Sequence, residues 1–240
     1  GISVHWKVYA RNKKSVTLNF RQRKGRKLLL ELAATAQILV ENFIPGTLEK
    51  WDLGPEVLHQ ANPDLIIVRI SGWGQHGPDR RFPGFGSLVE ARTGFATMNG
   101  FADRAPVLPP MALADMVAGL YGGVATLVAL RHREVSGGPG QVIDLPLFDP
   151  LLSILGPQAA QYELTGKIPT RMGSQIHTTA PRNVYCCSDG RYVALSASMQ
   201  SMFERLMGTI GRPDFIVDSR FLTNADRVEH CDILDSVIAE

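Results

Sequence analysis

The longest apolar run of the chain, residues 116–130, directly follows an aspartate and limits the folds that the chain can adopt. Asp115 is the only charged residue between Arg104 and Arg131. The run is shorter than the roughly 20 apolar residues that a membrane-spanning helix needs. It predicts a buried helix of a soluble protein over about residues 116–133, and no membrane partner. Its glycines, Gly119, Gly122 and Gly123, predict close approach of another backbone.

Asp115 itself has two interpretations. An aspartate at the head of a helix is a common N-cap, because its carboxylate accepts backbone N–H bonds and suits the positive end of the helix dipole. A lone carboxylate beside an apolar run is also a candidate for chemistry. Position alone favours the cap, and the rest of the chain has to decide between the two.

Strand and helix patterns alternate over the first two thirds of the chain. Alternation at these lengths predicts parallel strands joined by right-handed crossovers, which is a Rossmann-like α/β sheet. The predicted strands cover residues 15–20, 37–40, 64–71 and 141–147, and the predicted helices cover residues 25–36, 47–51, 55–60, 85–94, 116–133 and 150–164.

The stretch 72–77 spells GxGxxG after a predicted strand. A dinucleotide site needs its last glycine to open a helix. Here Pro78 and Pro83 bracket a charged loop, so the stretch predicts a glycine-rich turn instead.

A polar stretch follows the alternating strands and helices at about residue 166, which predicts a domain boundary there. Residues 1–166 form the Rossmann-like domain, and residues 167–240 form a smaller α+β domain. In the latter, Asp189-Gly190 predicts a hairpin between residues 184–187 and 192–195. A helix over residues 199–210 follows.

Positive charge is concentrated at the start of the chain, although the formal net charge of the whole chain is only +2. Such a segment faces an anion or is simply solvated. A nucleic-acid module is disfavoured, because stacking aromatics and a recognition-helix pattern are missing. The three cysteines lack metal-ligand spacing, so we predict no metal and a reducing compartment, the cytoplasm. The basic residues that precede the first acidic one are Lys7, Arg11, Lys13, Lys14, Arg21, Arg23, Lys24, Arg26 and Lys27.

Taken in order, several short motifs make the sequence resemble the class III CoA-transferase (CaiB/BaiF) family, which includes formyl-CoA transferase, carnitine CoA-transferase and α-methylacyl-CoA racemase. Each motif is weak alone, and the order makes the set specific. The motifs are Arg11-Asn12-Lys13-Lys14-Ser15-Val16, Val40-Glu41-Asn42-Phe43 with Pro45-Gly46, Asn62-Pro63-Asp64-Leu65-Ile66, Ile70-Ser71-Gly72 with Gly74-Gln75 and Gly77-Pro78, Leu113-Ala114-Asp115, and Asp189-Gly190 with Gly211-Arg212-Pro213 and Thr223-Asn224.

The resemblance implies CoA transfer between an acyl-CoA and a free carboxylic acid, with Asp115 as the nucleophile that carries the acyl group as a mixed anhydride. It also implies an interlinked homodimer. Phe43 has core packing as an alternative role, and Lys50 replaces a phosphate-binding arginine. The residues expected to bind CoA are Arg11, Asn12, Lys13, Lys14, Asn42, Phe43, Lys50 and Phe85.

Departures from the family pattern narrow the set of reactions that the resemblance allows. The racemase branch has a histidine and a glutamate where this chain has Phe85 and Met199, and neither side chain can transfer a proton. His76 is a possible substitute. Gly86 stands where relatives have a glutamate or an aspartate, so a carboxylate that contacts the acyl substrate is missing. A racemase and a catalytically silent CoA-binding paralogue remain as alternatives.

Compared with the family, the chain is expected to lack the opening strand and helix and the C-terminal return. We therefore expect a fragment or a sequence with gaps. The mitochondrion and the peroxisome stay open as alternatives to the cytoplasm.

Overall fold

Parallel strands organise the first part of the chain in the computed structural model, which describes residues 3–240. The helices and strands in chain order are α1 (Val4–Tyr9), α2 (Arg23–Ala33), β1 (Ile38–Glu41), α3 (Thr47–Lys50), α4 (Pro55–Ala61), β2 (Ile66–Ser71), α5 (Gly86–Arg92), α6 (Phe95–Met98), α7 (Leu113–Ser136), β3 (Val142–Pro146), α8 (Phe148–Ile154), α9 (Gln158–Thr165), β4 (Arg182–Cys186), β5 (Tyr192–Ser196), α10 (Gln200–Thr209), α11 (Asp214–Val217), α12 (Asn224–Glu229) and α13 (Cys231–Ala239).

The sheet has the order β1-β2-β3, and both pairings are parallel. Ile38 lies opposite Ile66, and Ile67 lies opposite Val142. The middle strand β2 is the most buried of the three, as expected for a strand covered on both faces. The predicted parallel sheet is confirmed, and its three strands lie within two residues of the predicted bounds.

Alternate residues of β2 face two different helical layers. Ile67 packs with Ala33 and Leu58 of α2 and α4. Ile66 and Val68 pack with Ala129 of α7 on the opposite face. The period of two along a strand thus separates two hydrophobic clusters. The Rossmann-like connectivity beyond this parallel sheet stays a prediction.

The strand predicted over residues 15–20 is wrong. The segment has no strand assignment, and Val16 is 73% exposed. A strand needs a neighbour that satisfies its backbone groups. Within residues 3–240, β1 pairs with β2 alone and leaves its other edge unpaired.

Helix α7 packs on the sheet through its small residues. Ala114, Ala118 and Ala129 are buried. A Cβ on Gly122 would lie 2.6 Å from Cδ2 of Leu145, so this glycine admits the neighbouring strand. Gly119 and Gly123 have no such neighbour within 4 Å, and the prediction of close approach is wrong for these two glycines among the described residues.

By length and composition alone, α7 is long and apolar enough to cross a membrane. Only 22% of its most apolar stretch is buried, and Leu120, Val124 and Leu127 are 74%, 64% and 65% exposed. The prediction of a buried helix too short for a bilayer is therefore wrong. The helix extends beyond the apolar run at both ends, and its fully buried residues are small, although Leu113 and Leu130 are partly covered.

Residues 150–164, predicted as one helix, form α8 and α9 instead. Gly156 has a φ of 75° in the left-handed region, and Pro157 follows it. Proline has no N–H for a continuing helix, and its ring disfavours helical backbone in the preceding residue. The helix is therefore interrupted between α8 and α9.

Contact between chain segments divides the structure into two units. One takes in the chain through Glu90 together with Met111–Gly156, and the other consists of Ala91–Pro110 and Pro157–Glu240. This division differs from the predicted boundary at residue 166. Hydrogen bonds tie the inserted segment to its unit, because Arg171 donates to Phe101 O and Thr97 O, both at 3.1 Å.

The second unit contains the predicted hairpin, in which β4 and β5 pair antiparallel. Its main apolar cluster joins α10 to the later helices through Phe203, Phe221 and Leu234. Arg227 is buried beside this cluster, at 1% exposure.

Candidate active site

Asp115 lies in the first turn of α7, but it is not the N-cap. The N-cap position belongs to Ala112, and Asp115 is the third residue of the helix. The simple cap interpretation is therefore wrong. Asp115 is exposed, so its carboxylate is accessible to another molecule.

Two first-turn amides of α7 are already occupied. The N–H of Leu113 donates to Met111 O at 2.8 Å. The N–H of Ala114 donates to Oε1 of Glu90 at 3.1 Å. Since Glu90 is only 3% exposed, a buried carboxylate from α5 takes the place of a cap at the turn that carries Asp115.

Gly86 begins α5 and lies directly against the Asp115 carboxylate. A Cβ on Gly86 would be 2.6 Å from Oδ2 of Asp115 and 3.6 Å from Cβ of Ala114. A side chain at this position would therefore occupy the space that the carboxylate uses.

A cavity of about 290 Å³ holds Asp115 at the carboxyl ends of the three strands. Ligands of open α/β sheets commonly bind at this edge. Asn42, predicted to bind CoA, lines the same cavity. The remaining lining residues are Val40, Glu41, Ile70, Ala118, Gly119 and Leu147.

An ion-pair network supports the loop that carries Asn42, with Arg69 and Glu41 buried and Glu49 exposed. Nε of Arg69 lies 2.7 Å from Oε1 of Glu41, and Nη1 of Arg69 lies 2.7 Å from Oε1 of Glu49. The other oxygen of Glu41 accepts the N–H of Phe43 at 2.7 Å. This network holds the Asn42–Phe43 turn against the end of β1.

Burial and pairing oppose each other in this network. Burial acts to lower the pKa of Arg69, but its hydrogen bonds to Glu49 and Glu41 outweigh burial and raise that pKa. Burial acts to raise the pKa of Glu49, but hydrogen bonds from Arg69 outweigh it and lower that pKa. Both pairing effects favour the charged forms.

The basic segment Arg11, Asn12, Lys13 and Lys14 follows α1 and is exposed throughout. Nζ of Lys13 donates to Tyr9 O at 2.6 Å, and the Tyr9 hydroxyl lies 3.9 Å from Sδ of Met116. The segment therefore begins two residues after a side chain that contacts Met116, the neighbour of Asp115 in sequence.

The other predicted CoA contacts, Phe43, Lys50 and Phe85, do not line this cavity. Phe43 is 37% exposed and packs edge-on against Trp51, with ring centroids 5.3 Å apart, so it is part packed and part accessible. Phe85 is 71% exposed just before α5. Lys50 is exposed at the end of α3. Their roles in CoA binding stay predictions.

A larger cleft of about 750 Å³ lies elsewhere in this unit and is lined by His76, Arg69 and Gln75 among others. Asp115 does not line it. The structure thus places His76, the possible substitute for a racemase histidine, in a different cleft from the candidate nucleophile.

A family model described as CoA-transferase family III matches residues 1–240. The chain belongs to this family. It is 40% identical over 239 residues to the succinyl-CoA–D-citramalate CoA-transferase of Chloroflexus aurantiacus, with 100% of this chain and 59% of that protein covered. It is also 40% identical over 236 residues to the succinyl-CoA–L-malate CoA-transferase alpha subunit of that species, with 98% and 55% covered.

A crystal structure of a CAIB/BAIF family protein from Brucella suis has a similar fold. The TM-score is 0.78 at 35% sequence identity, with 95% of this chain and 60% of that chain covered. The chain therefore spans a little over half the length of these family III relatives. The predicted family resemblance is confirmed.

Sequence reasoning about this family III member missed the residues that support the site. The family motifs include Glu41 but neither Arg69 nor Glu90. A usable signal existed for Arg69, because a charge inside a strand as apolar as β2 must find a buried partner. No comparable signal marked Glu90, since its burial follows from the packing of α5 on α7.

Proposed function

We propose that the protein transfers CoA from an acyl-CoA thioester to a free carboxylic acid, with Asp115 as the nucleophile. The observation that carries the proposal is the family match over the whole chain, combined with an accessible Asp115 carboxylate in a cavity at the carboxyl ends of the strands. The relatives with the highest identities quoted above are named as CoA-transferases.

In the proposed reaction, an Asp115 oxygen attacks the thioester carbonyl carbon and the C–S bond breaks. This step leaves CoA thiolate and an acyl-aspartyl anhydride. The thiolate then attacks the aspartyl carbonyl, which releases the donor acid and forms an aspartyl-CoA thioester. The acceptor carboxylate then attacks the aspartyl-CoA thioester, which releases CoA thiolate and forms a second anhydride. The thiolate attacks the acceptor's carbonyl carbon in this anhydride, so the acceptor leaves as its CoA thioester and the Asp115 carboxylate is regenerated.

Small dicarboxylic acyl groups are the proposed substrate class. Support comes from the two relatives named for succinyl-CoA with citramalate or malate. A cavity of about 290 Å³ suits such a small group. Gly86 also keeps a second carboxylate away from Oδ2 of Asp115, so an anionic acceptor meets less like charge there.

The phosphates of CoA give the basic segment around Arg11, Lys13 and Lys14 a role. Lysine and arginine side chains bind phosphate through charge-assisted hydrogen bonds. The contact between Tyr9 and Met116 supports this assignment, because it keeps the start of the segment beside the first turn of α7.

A homodimer is also proposed. The exposed apolar row of α7 supports it, because Leu120, Val124 and Leu127 recur at spacings of four and three residues and face away from the sheet. Contiguous apolar patches of this kind mark interaction surfaces.

The proposal is tested by incubating the protein, made as its gene encodes it, with succinyl-CoA and with acetyl-CoA, followed by hydroxylamine trapping and mass spectrometry. We expect a hydroxamate at Asp115, lost in Asp115→Ala and retained in Asp103→Ala, a matched exposed aspartate. Transfer that survives in Asp115→Ala would refute the mechanism.

The same samples separate the alternatives. A racemase would exchange the α-proton of the acyl group with deuterium from D₂O without moving CoA to an added acid. A silent paralogue would bind CoA and form no adduct. Either outcome contradicts the proposed function.

A further inference from the structure

A buried glutamate, Glu90, contacts the helix turn that carries the candidate nucleophile. Glu90 is 3% exposed, on the side of α5 that packs against α7. Burying a carboxylate is costly unless hydrogen bonds compensate it. Its Oε1 accepts the N–H of Ala114 at 3.1 Å, one residue before Asp115.

This bond replaces a cap that the sequence of α7 does not supply. The N-cap residue is Ala112, which has no side-chain oxygen to accept an N–H. Serine, threonine, aspartate or asparagine at that position normally does so. A carboxylate is also favoured there by the helix dipole. Glu90 therefore supplies from another helix the acceptor that orders the first turn of α7.

The same helix also defines the space around the reactive carboxylate. Gly86 precedes Glu90 by four residues, so the two share one face of α5. A Cβ on Gly86 would lie 2.6 Å from Oδ2 of Asp115. Between them, Val89 packs with Ala114 in the apolar cluster of this region. One face of α5 thus contacts both the backbone and the side chain of the turn that carries Asp115.

We propose that Glu90 is a positioning residue for CoA transfer, which aims the Asp115 carboxylate by holding the Ala114 amide at the start of α7. The inference rests on the proposed function. In this role Glu90 does not touch the acyl group, and it acts through its hydrogen bond with the backbone of α7. What matters in this role is the reach of its oxygen rather than its charge.

Two substitutions separate reach from charge. Glu90→Gln keeps the chain length and an amide oxygen that accepts the Ala114 N–H, but removes the charge. Glu90→Asp keeps the charge but withdraws the carboxylate by about 1.5 Å, one carbon–carbon bond. A displacement of about 1 Å at a reacting group can cost roughly a hundredfold in rate.

The experiment measures the single-turnover rate of Asp115 acylation by succinyl-CoA with quenched-flow mass spectrometry, using the protein as its gene encodes it. We expect Glu90→Gln to stay within about threefold of wild type and Glu90→Asp to fall at least tenfold. The KM for succinyl-CoA should change less than twofold in both, because CoA contacts are untouched. Thermal unfolding checks that both variants are folded.

The outcomes are distinguishable from failure of the proposed function. If wild type forms no adduct at Asp115, CoA transfer itself is refuted. If wild type reacts but Glu90→Asp reacts equally fast, the positioning role is refuted. A loss in Glu90→Gln that Glu90→Asp does not share would show that charge matters, which also overturns the inference.

Discussion

Replacing Gly86 by alanine adds one methyl group directly against the carboxylate of Asp115. The new carbon would lie 2.6 Å from Oδ2, whereas ordinary contact begins at 3.4 Å. The carboxylate must therefore move by about 0.8 Å, since it is the free end of a side chain and the helix backbone is not. Alanine suits the backbone of α5, because Gly86 is not among the positive-φ glycines.

We expect the rate of Asp115 acylation to fall between about tenfold and a hundredfold, because a shift near 1 Å misaligns the attacking oxygen. The midpoint of thermal unfolding should stay near that of wild type or rise, since alanine is favoured over glycine in a helix by up to about 1 kcal/mol. The assay is quenched-flow mass spectrometry with succinyl-CoA, alongside thermal unfolding.

Gly123→Ala is the matched control, because it lies in α7 and its added Cβ has no described neighbour within 4 Å. It should acylate at the wild-type rate. If Gly86→Ala also keeps the wild-type rate while Asp115 remains essential, the carboxylate does not react from the position seen here, and the argument from geometry fails.

Two further predictions concern stability and assembly. Arg227→Met removes the donors that bind Ala180 O, Ser198 O and Phe221 O at 2.7–3.1 Å. It should lower the free energy of unfolding, measured by chemical denaturation, by at least about 3 kcal/mol, whereas the exposed Arg205→Met, the control, should be nearly neutral. Equal effects of the two substitutions would show that these buried hydrogen bonds do not stabilise the second unit. If the proposed homodimer uses the apolar row of α7, Leu127→Glu should raise its dissociation constant, measured by light scattering, at least tenfold. The control Leu164→Glu, on α9, should leave that constant unchanged. A constant that Leu127→Glu does not change would refute α7 as the interface.

Much of the fold followed from local patterns. The apolar stretch of β2 marked a strand buried on both faces, and Asp189-Gly190 marked the turn of the hairpin. The glycine-rich stretch after β2 forms a turn rather than a helix, as its prolines indicated. In each case, neighbouring residues carry the information, so sequence suffices.

The errors arose where partners distant in sequence decide the outcome. Residues 15–20 have the alternation of a strand, but no strand pairs with them in the part of the chain that the structure describes. Helix α7 has the composition of a buried helix, yet its fully buried residues are all alanine or glycine and many of its large apolar side chains are exposed. Which side of an apolar helix is covered depends on what packs there, and no local pattern specifies that.

For the candidate site, family motifs were enough to select Asp115 and Asn42, and the structure brings both to one cavity. The motifs could not say how the turn is held, because Glu90 is 24 residues away along the chain and meets Ala114 only after α5 packs on α7. The same holds for Glu41 and Arg69, which are 28 residues apart.

Residue patterns along the chain were enough to predict the family, the parallel strands and Asp115 as candidate nucleophile. These depend on residue types in order along the chain. Tertiary packing was needed to show that Ala112 rather than Asp115 is the N-cap of α7, that Glu90 accepts the N–H of Ala114, and that Gly86 leaves room for the Asp115 carboxylate. These features escape a reading of the sequence because the hydrogen bonds and close contacts between α5 and α7 exist only once both helices are packed together.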